Sequence, residues 1–337
     1  MAAFDVRIGE IIEKGLEGAG LSKDEVAALC RVDPYEKEAA LLRWAGWKLA
    51  QDASGGVAEI EAQIGLDSAH CPKNCRFCSF AACNNVRLDE FELTRQEVVD
   101  YARAYEEEGA NLILLMSTAH YRFEKLVEMV AAVRESVSPL LPVLVNADDL
   151  TLGQCLRLKE AGACGAYHSV RMREGEDTGI PVQRRLDTLD NLRAAGMSLS
   201  SNVEPVGPEH SPDEVAAAIM RCVGARPYAG GVGRRFNVPG TAICARGMLD
   251  DIQASTLVAV YRLAAGSGMR LAGRASSVLS AASGANHAWA EVGSNPRDGV
   301  RRTESGGVGD SLRALKRLFA DAGWRVLEGP SRGWDAS

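Results

Sequence analysis

The spacing of hydrophobic positions changes near residue 52. Before it, apolar residues recur every three or four positions. RIGEIIEKGL carries that period, SKDEVAALC opens on a serine suited to an N-cap, and DPYEKEAALLRWAGWKLA follows an Asp-Pro start. Beyond it, short apolar runs alternate with amphipathic segments. The runs predict strands at 57–66, 111–116, 141–146, 165–170, 198–206, 232–238, 269–273 and 287–292. The segments between them, from TRQEVVDYARAYEEEG to GDSLRALKRLFADAG, predict helices, many closed by a glycine that can take the left-handed C-cap conformation. Eight strands alternating with eight helices predict an α/β fold, a (β/α)8 TIM-type barrel with an N-terminal helical extension. The expected organisation is a helical cap over 1–52 covering the barrel's bottom, the barrel over 53–326, and a tail over 327–337 that frays.

In such a barrel the chemistry sits at the C-terminal ends of the strands. The polar residues falling there are Cys71–Cys78, Ser117–His120, Asn146–Asp149, His168–Glu176, Glu204, Asn237–Thr241, Arg274 and Glu291–Asn295. Few of these would be chosen for packing. Composition narrows the partners. A net charge of −7 without a basic stripe argues against nucleic acid, and Arg297, Arg301 and Arg302 read as a solvated loop. No run of about 18 apolar residues predicts a membrane span. The N-terminus lacks the basic start and apolar stretch of a signal peptide. Nine cysteines in such a chain imply a reducing cytoplasm, where thiols stay available for metals.

Three of those cysteines carry the strongest signal. HCPKNCRFCSF places Cys71, Cys75 and Cys78 in a C-x3-C-x2-C loop directly after the first strand. Three thiolates can bind three irons of a cubane cluster and leave the fourth iron open. Zinc would want a fourth ligand, for which His70 or Cys83 could serve, but zinc loops usually join two short cysteine pairs. A ferredoxin-type cluster would take four cysteines and a much smaller domain.

CPKNCRFCSF resembles the cluster loop of the radical S-adenosylmethionine (SAM) superfamily. The chain from about residue 55 to 325 is similar to its biotin-synthase-like group, which includes biotin synthase, a hydrogenase maturase and methylornithine synthase. RRLDTLDNLRAAGM and NVPGTAI support that resemblance. It implies a 4Fe–4S cluster on Cys71, Cys75 and Cys78, SAM on the open iron, and a 5′-deoxyadenosyl radical formed by reductive cleavage. It also implies a low-potential electron donor such as ferredoxin or flavodoxin. By the same resemblance Arg185 pairs with the methionine carboxylate, while Glu174 and His168 bind the ribose or amino group. Phe77 fits an apolar contact beside the adenine, and Ser117 and Thr118 can hydrogen-bond the methionine moiety.

Glu204, Arg234, Asn237 and Arg274 lie further round the barrel mouth, where convergent arginines favour a small anionic substrate. Biotin synthase needs a second cluster, and here the strand runs LILLMS, LPVLVN and SLSSNV contain no cysteine. A conventional biotin synthase is therefore not expected. Cys244, just past the Gly-Thr turn, remains a candidate for catalysis or for a second cluster. The leading expectation is hydrogen abstraction leading to rearrangement or fragmentation in cofactor or amino-acid biosynthesis. Radical sulfur insertion of the biotin or lipoyl type and a non-catalytic iron–sulfur carrier are the alternatives.

Overall fold

The structure is a computed structural model that describes residues 4–18, 20–86, 90–292 and 311–334. Eight parallel strands form the barrel: β1 (Val57–Gly65), β2 (Leu112–Met116), β3 (Val143–Asn146), β4 (Gly165–Tyr167), β5 (Ser198–Val206), β6 (Ala229–Arg234), β7 (Leu271–Ala272) and β8 (His287–Val292). They pair in sequence order, and β1 also pairs with β8, with Glu59 opposite His287 and Gln63 opposite Glu291. A bridge between Arg274 and His287 brings β7 against β8 and nearly closes the ring.

Helices α1 (Val6–Leu16), α2 (Lys23–Cys30) and α3 (Lys37–Ser54) precede β1. The crossover helices are α4 (Arg95–Glu107), α5 (Phe123–Ser136), α6 (Leu152–Glu160), α7 (Val182–Ala194), α8 (Pro212–Gly224), α9 (Asp251–Ala265), α10 (Val278–Ala281) and α11 (Leu312–Asp321). Reciprocal capping boxes start many of them, as at Thr94 with Glu97 and Ser211 with Glu214.

Alternation along β1 sets the two faces. Ile60, Ala62 and Ile64 are fully buried against the outer helices, while Glu59, Glu61 and Gln63 share the inner face with His287, Trp289 and Glu291. The barrel therefore has a polar axis on the β1–β8 side and an apolar one around Leu112, Leu114, Leu144 and Tyr167.

Three expectations need correction. The sixth strand starts three residues earlier than predicted and ends at Arg234. Its AGGVG stretch looks like a loop, yet a side chain at Gly230 would stand 2.3 Å from the Tyr261 hydroxyl, and one at Gly231 would stand 2.6 Å from the Arg274 nitrogen. Helices α1–α3 join the outer layer against α8 and α9, through Ile12, Leu29 and Leu42, instead of capping the base. The tail covers the base and is ordered to Trp334, which is buried with Leu112, Ala229 and Leu271. Ser331 accepts from the Trp334 indole, donates its hydroxyl to Glu59 and its backbone N–H to the carbonyl of Asn111.

Candidate active site

The loop after β1 holds the three cysteines by backbone geometry. Cys71 N–H donates to Phe80 O at 2.7 Å, and Ala82 N–H returns to Cys71 O at 3.0 Å. Buried Asn84 ties the loop together, donating from Nδ2 to the carbonyls of Cys78 at 2.7 Å and Cys75 at 3.2 Å, while its Oδ1 accepts from Ala242 N–H at 2.9 Å. Gly240 lies against the same loop with φ +92°, where a Cβ would stand 2.2 Å from Asn85 O. The Gly-Thr turn is thus a clamp on the cysteine loop. From the other side, Arg76 and Gly179 bond backbone to backbone with Asp177 and Lys73.

All three cysteines face one cavity of about 260 Å³ at the C-terminal ends of the strands. Phe77, Ser117, Thr118, His168, Arg185, Glu204, Arg234 and Arg274 line it with them, each a residue singled out from the sequence. Burial pushes the Cys75 thiol up to about 12 and the Cys78 thiol up to about 11, so a metal bound by these two would have to displace their protons.

Beside the cysteines lies a buried ionic group. Arg185 Nη1 donates to Asp149 Oδ1 at 3.0 Å, and its Nε lies 3.4 Å from Glu174 Oε2. Lys73 pairs with Asp148 at 2.8 Å. His168 is 3.7 Å from Asp149, but burial, with the charges of Arg185 and Arg171, holds its pKa well below the ordinary value and keeps it neutral. Across the cavity, Glu204 anchors a second group. It accepts from Tyr167 Oη at 2.5 Å and pairs with Arg171 at 3.0 Å and Arg274 at 3.9 Å. Arg274 also stacks over the Trp289 ring at 4.2 Å, and Trp289 meets Tyr167 edge-on at 5.2 Å. Burial and the Glu204 charge keep Tyr167 a neutral phenol.

Glu174, Asn237 and Cys244 do not line this cavity. Glu174 is buried beside Arg185, its oxygens accepting from the Thr178 hydroxyl and the Arg171 backbone N–H. Asn237 is half-buried on the segment that leads to the Gly-Thr turn. Cys244 opens a single 3-10 turn, Cys244–Arg246, whose N–H groups bond back to the turn. Thr118 does line the cavity, but its hydroxyl and N–H are both engaged by Asp67, leaving Ser117 as the freer donor. Sequence reasoning missed Gln63, Tyr167 and Trp289. Each is an inward residue on a strand, and only the alternation of polar and apolar positions could have marked it. Glu291 lines the cavity, whereas Ser294, Asn295 and Arg297 lie outside the described residues.

The fold and site define a parallel barrel with a three-cysteine loop facing a cavity lined by several arginines. Residues 67–222, just under half of the chain, match the model of the radical SAM superfamily. The chain is 25% identical to the biotin synthase of Saccharopolyspora erythraea over 197 residues, 56% of this chain and 55% of that one. It is 27% identical to that of Microcystis aeruginosa over 195 residues, 54% and 53% of the two chains. The chain thus spans about half the length of these curated relatives. Methylornithine synthase superposes with a TM-score of 0.79 at 17% identity, over 94% of this chain and 97% of that one. The FeFe-hydrogenase maturase HydG of Carboxydothermus hydrogenoformans gives 0.78 at 20% identity, over 95% and 79%. These two likenesses establish the shared barrel. Members of the superfamily bind a 4Fe–4S cluster and SAM, and the donor set here fits: three sulfurs on one clamped loop, all facing a cavity with a buried arginine.

Cys244→Ala is expected to leave iron content and SAM cleavage unchanged, with a stability loss of about 1 kcal/mol. Iron analysis and thermal denaturation of the variant check this.

Proposed function

We propose that the chain is a single-cluster radical SAM enzyme that abstracts hydrogen from a small anionic substrate, leading to rearrangement or fragmentation in cofactor or amino-acid biosynthesis. The observation that carries the proposal is the convergence of Cys71, Cys75 and Cys78 with Arg171, Arg234 and Arg274 on one cavity. Cys71, Cys75 and Cys78 would hold the cluster, and Arg185 would hold the SAM carboxylate. When bound, the cluster and SAM would supply a carbon-centred radical through one-electron reductive cleavage of the sulfonium.

The chain's own residues bind, orient and exclude water. Asp149 and Glu174 fix the Arg185 guanidinium so that its remaining face meets the carboxylate without reorganisation. Neutral His168 offers a hydrogen bond without adding charge. Glu204 draws Arg171 and Arg274 together, so a substrate carboxylate or phosphate meets two pre-positioned guanidinium groups. Phe77, Phe80, Met116, Phe236 and Val238 supply the apolar lining that protects a radical from solvent. Among the described residues, no cysteine besides the loop's three lines the cavity, which favours this reading over sulfur insertion. No helix among the described residues is long and apolar enough to cross a membrane, and a loop of reduced thiols suits the cytoplasm.

Arg185→Ala should weaken SAM binding by roughly 2–3 kcal/mol while iron content stays at wild-type level. Calorimetric titration of the reconstituted variant reads this, and unchanged affinity would remove Arg185 from the cofactor site. The substrate proposal is tested by following 5′-deoxyadenosine formation across a panel of small carboxylates and phosphates. Stimulation by an anion, lost in Arg171→Ala and Arg274→Ala, supports it. Stimulation only by neutral or cationic compounds would overturn it. An iron count well above four per chain would replace abstraction alone with sulfur insertion as the leading function.

A further inference from the structure

A third ionic group lies behind the cavity wall, between the cysteine loop and the loops that follow β4, β5 and β6. Asp177, buried after β4, accepts from Arg76 Nη1 at 3.2 Å and from Arg246 Nη1 at 2.8 Å, and its carbonyl takes the Arg76 N–H at 2.8 Å. Arg246 also lies 3.5 Å from Glu209 Oε1. Glu209 binds both terminal nitrogens of Arg235, Nη2 donating at 3.0 Å. Arg235 is 2% exposed and lines the cavity. The contacts therefore run unbroken from the residue next to Cys75 to a guanidinium in the cavity wall. Asp177, Glu209 and His210 each bring one ligand atom within 4.8 Å of the others, as a metal site would. Their partners assign them otherwise. Both carboxylates already face arginines, and His210 Nδ1 accepts from Gly207 N–H at 2.9 Å. That bond leaves the imidazole proton on Nε2, the nitrogen nearer Glu209.

We propose that Asp177 is a positioning residue, the centre of an ionic bridge that sets the cysteine loop against the cavity wall. The proposal rests on the reading of Cys71, Cys75 and Cys78 as cluster ligands, because only then does the loop's position matter to the reaction. Arg246 ends the 3-10 turn after the Gly240–Ala242 clamp, so the segment leaving β6 grips the loop twice. It meets Asn84 and Asn85 at the loop's end and, through Asp177, Arg76 at its middle. The same segment lines the cavity with Arg235, Phe236 and Val238. Where that wall stands thus fixes where Cys75 and Cys78 stand. Removing one partner of a buried charge-assisted pair leaves the other unpaired, so the bridge acts as a unit.

Two readouts separate positioning from charge. Asp177→Asn removes an anion near the loop and Arg246→Gln a cation, so through space alone they would move the cluster's midpoint potential in opposite directions. Loosening the loop instead admits water, which favours the more highly charged reduced cluster and raises the potential in both. In the metal-free proteins, hydrogen exchange of residues 71–82 should be about tenfold faster in each variant than in wild type. The double variant should be no faster than the quicker single one, since both cut one bridge. Glu209→Gln, further along it, should act in the same direction. Arg317→Gln, which breaks an exposed pair with Asp321 on α11, should change neither readout. Unchanged exchange in both Asp177→Asn and Arg246→Gln, or a potential that falls in Arg246→Gln, would overturn the proposal. So would faster exchange spread evenly over the barrel, the mark of general destabilisation. If Asp177→Asn does not fold, Arg246→Gln and Glu209→Gln carry the same test. A wild type that takes up no iron would indict the cluster reading instead, and exchange in the metal-free chain would still decide the bridge.

Discussion

Cys71→Ala, Cys75→Ala and Cys78→Ala are each expected to remove the iron–sulfur absorbance and abolish SAM cleavage altogether. Each thiolate would hold a separate iron, and the structure offers no stand-in. Cys83, the nearest other cysteine in sequence, is exposed, its N–H and thiol directed to the side chain and carbonyl of Asn74, and it does not line the cavity. The fold should survive, because the loop is held mainly by the Asn84 side chain, the backbone pairing of Cys71 with Phe80 and Ala82, and the Gly240 clamp. Iron analysis with far-ultraviolet circular dichroism separates loss of the cluster from loss of the barrel. A folded single variant that kept its absorbance and cleaved SAM would show that the loop is not the metal site.

The second large effect is on stability. Glu61 is enclosed inside the barrel between Trp289 and His287, and burial raises its carboxyl from the ordinary 4.5 to about 8, against the smaller opposing influences of Trp289 and Arg274. A carboxyl raised by folding stabilises the native state fully below its unfolded pKa, and that stability is lost as pH rises through the folded value. His287 works oppositely. Burial lowers it from 6.5 to about 4, so its contribution is lost as pH falls below 6.5. Between pH 6.5 and 8 the Glu61 effect therefore stands largely alone in this pair. Unfolding free energy should drop there by about 2 kcal/mol, at roughly 1.4 kcal/mol per pH unit. Glu61→Gln, which cannot ionise, should flatten that slope and leave the variant more stable than wild type at pH 8. Denaturant titrations at several pH values measure it. Parallel slopes in the two proteins would mean Glu61 is not held neutral.

How much of this was legible in the sequence depended on how local the signal is. The cysteine loop was legible because its chemistry and its spacing are both contiguous. The barrel was legible because strands such as 111–116 are unbroken apolar runs and their helices carry Ser, Thr and Gly at the ends. The start of strand six was not, because the glycines at 230 and 231 lack side chains where Tyr261 and Arg274 press close, a constraint imposed from elsewhere in the chain. Arg185 and Glu174 were both read as cofactor residues, yet Arg185 on α7 lines the cavity while Glu174, in the turn where Arg173 and Gly175 take positive φ, does not. The tail was read as fraying because its glycines and proline suggest a loop, and nothing nearby announces that Trp334 fills the open base of a barrel.

The most direct test of the central claim is basal reductive cleavage of SAM. The anaerobically reconstituted chain, with about four irons bound, is incubated with dithionite and SAM, and the products are separated by chromatography. Formation of 5′-deoxyadenosine and methionine in equal amounts, absent without reductant and absent from Cys75→Ala, is the predicted result. A fully loaded cluster that yields neither product would contradict the account and leave the chain an iron–sulfur carrier.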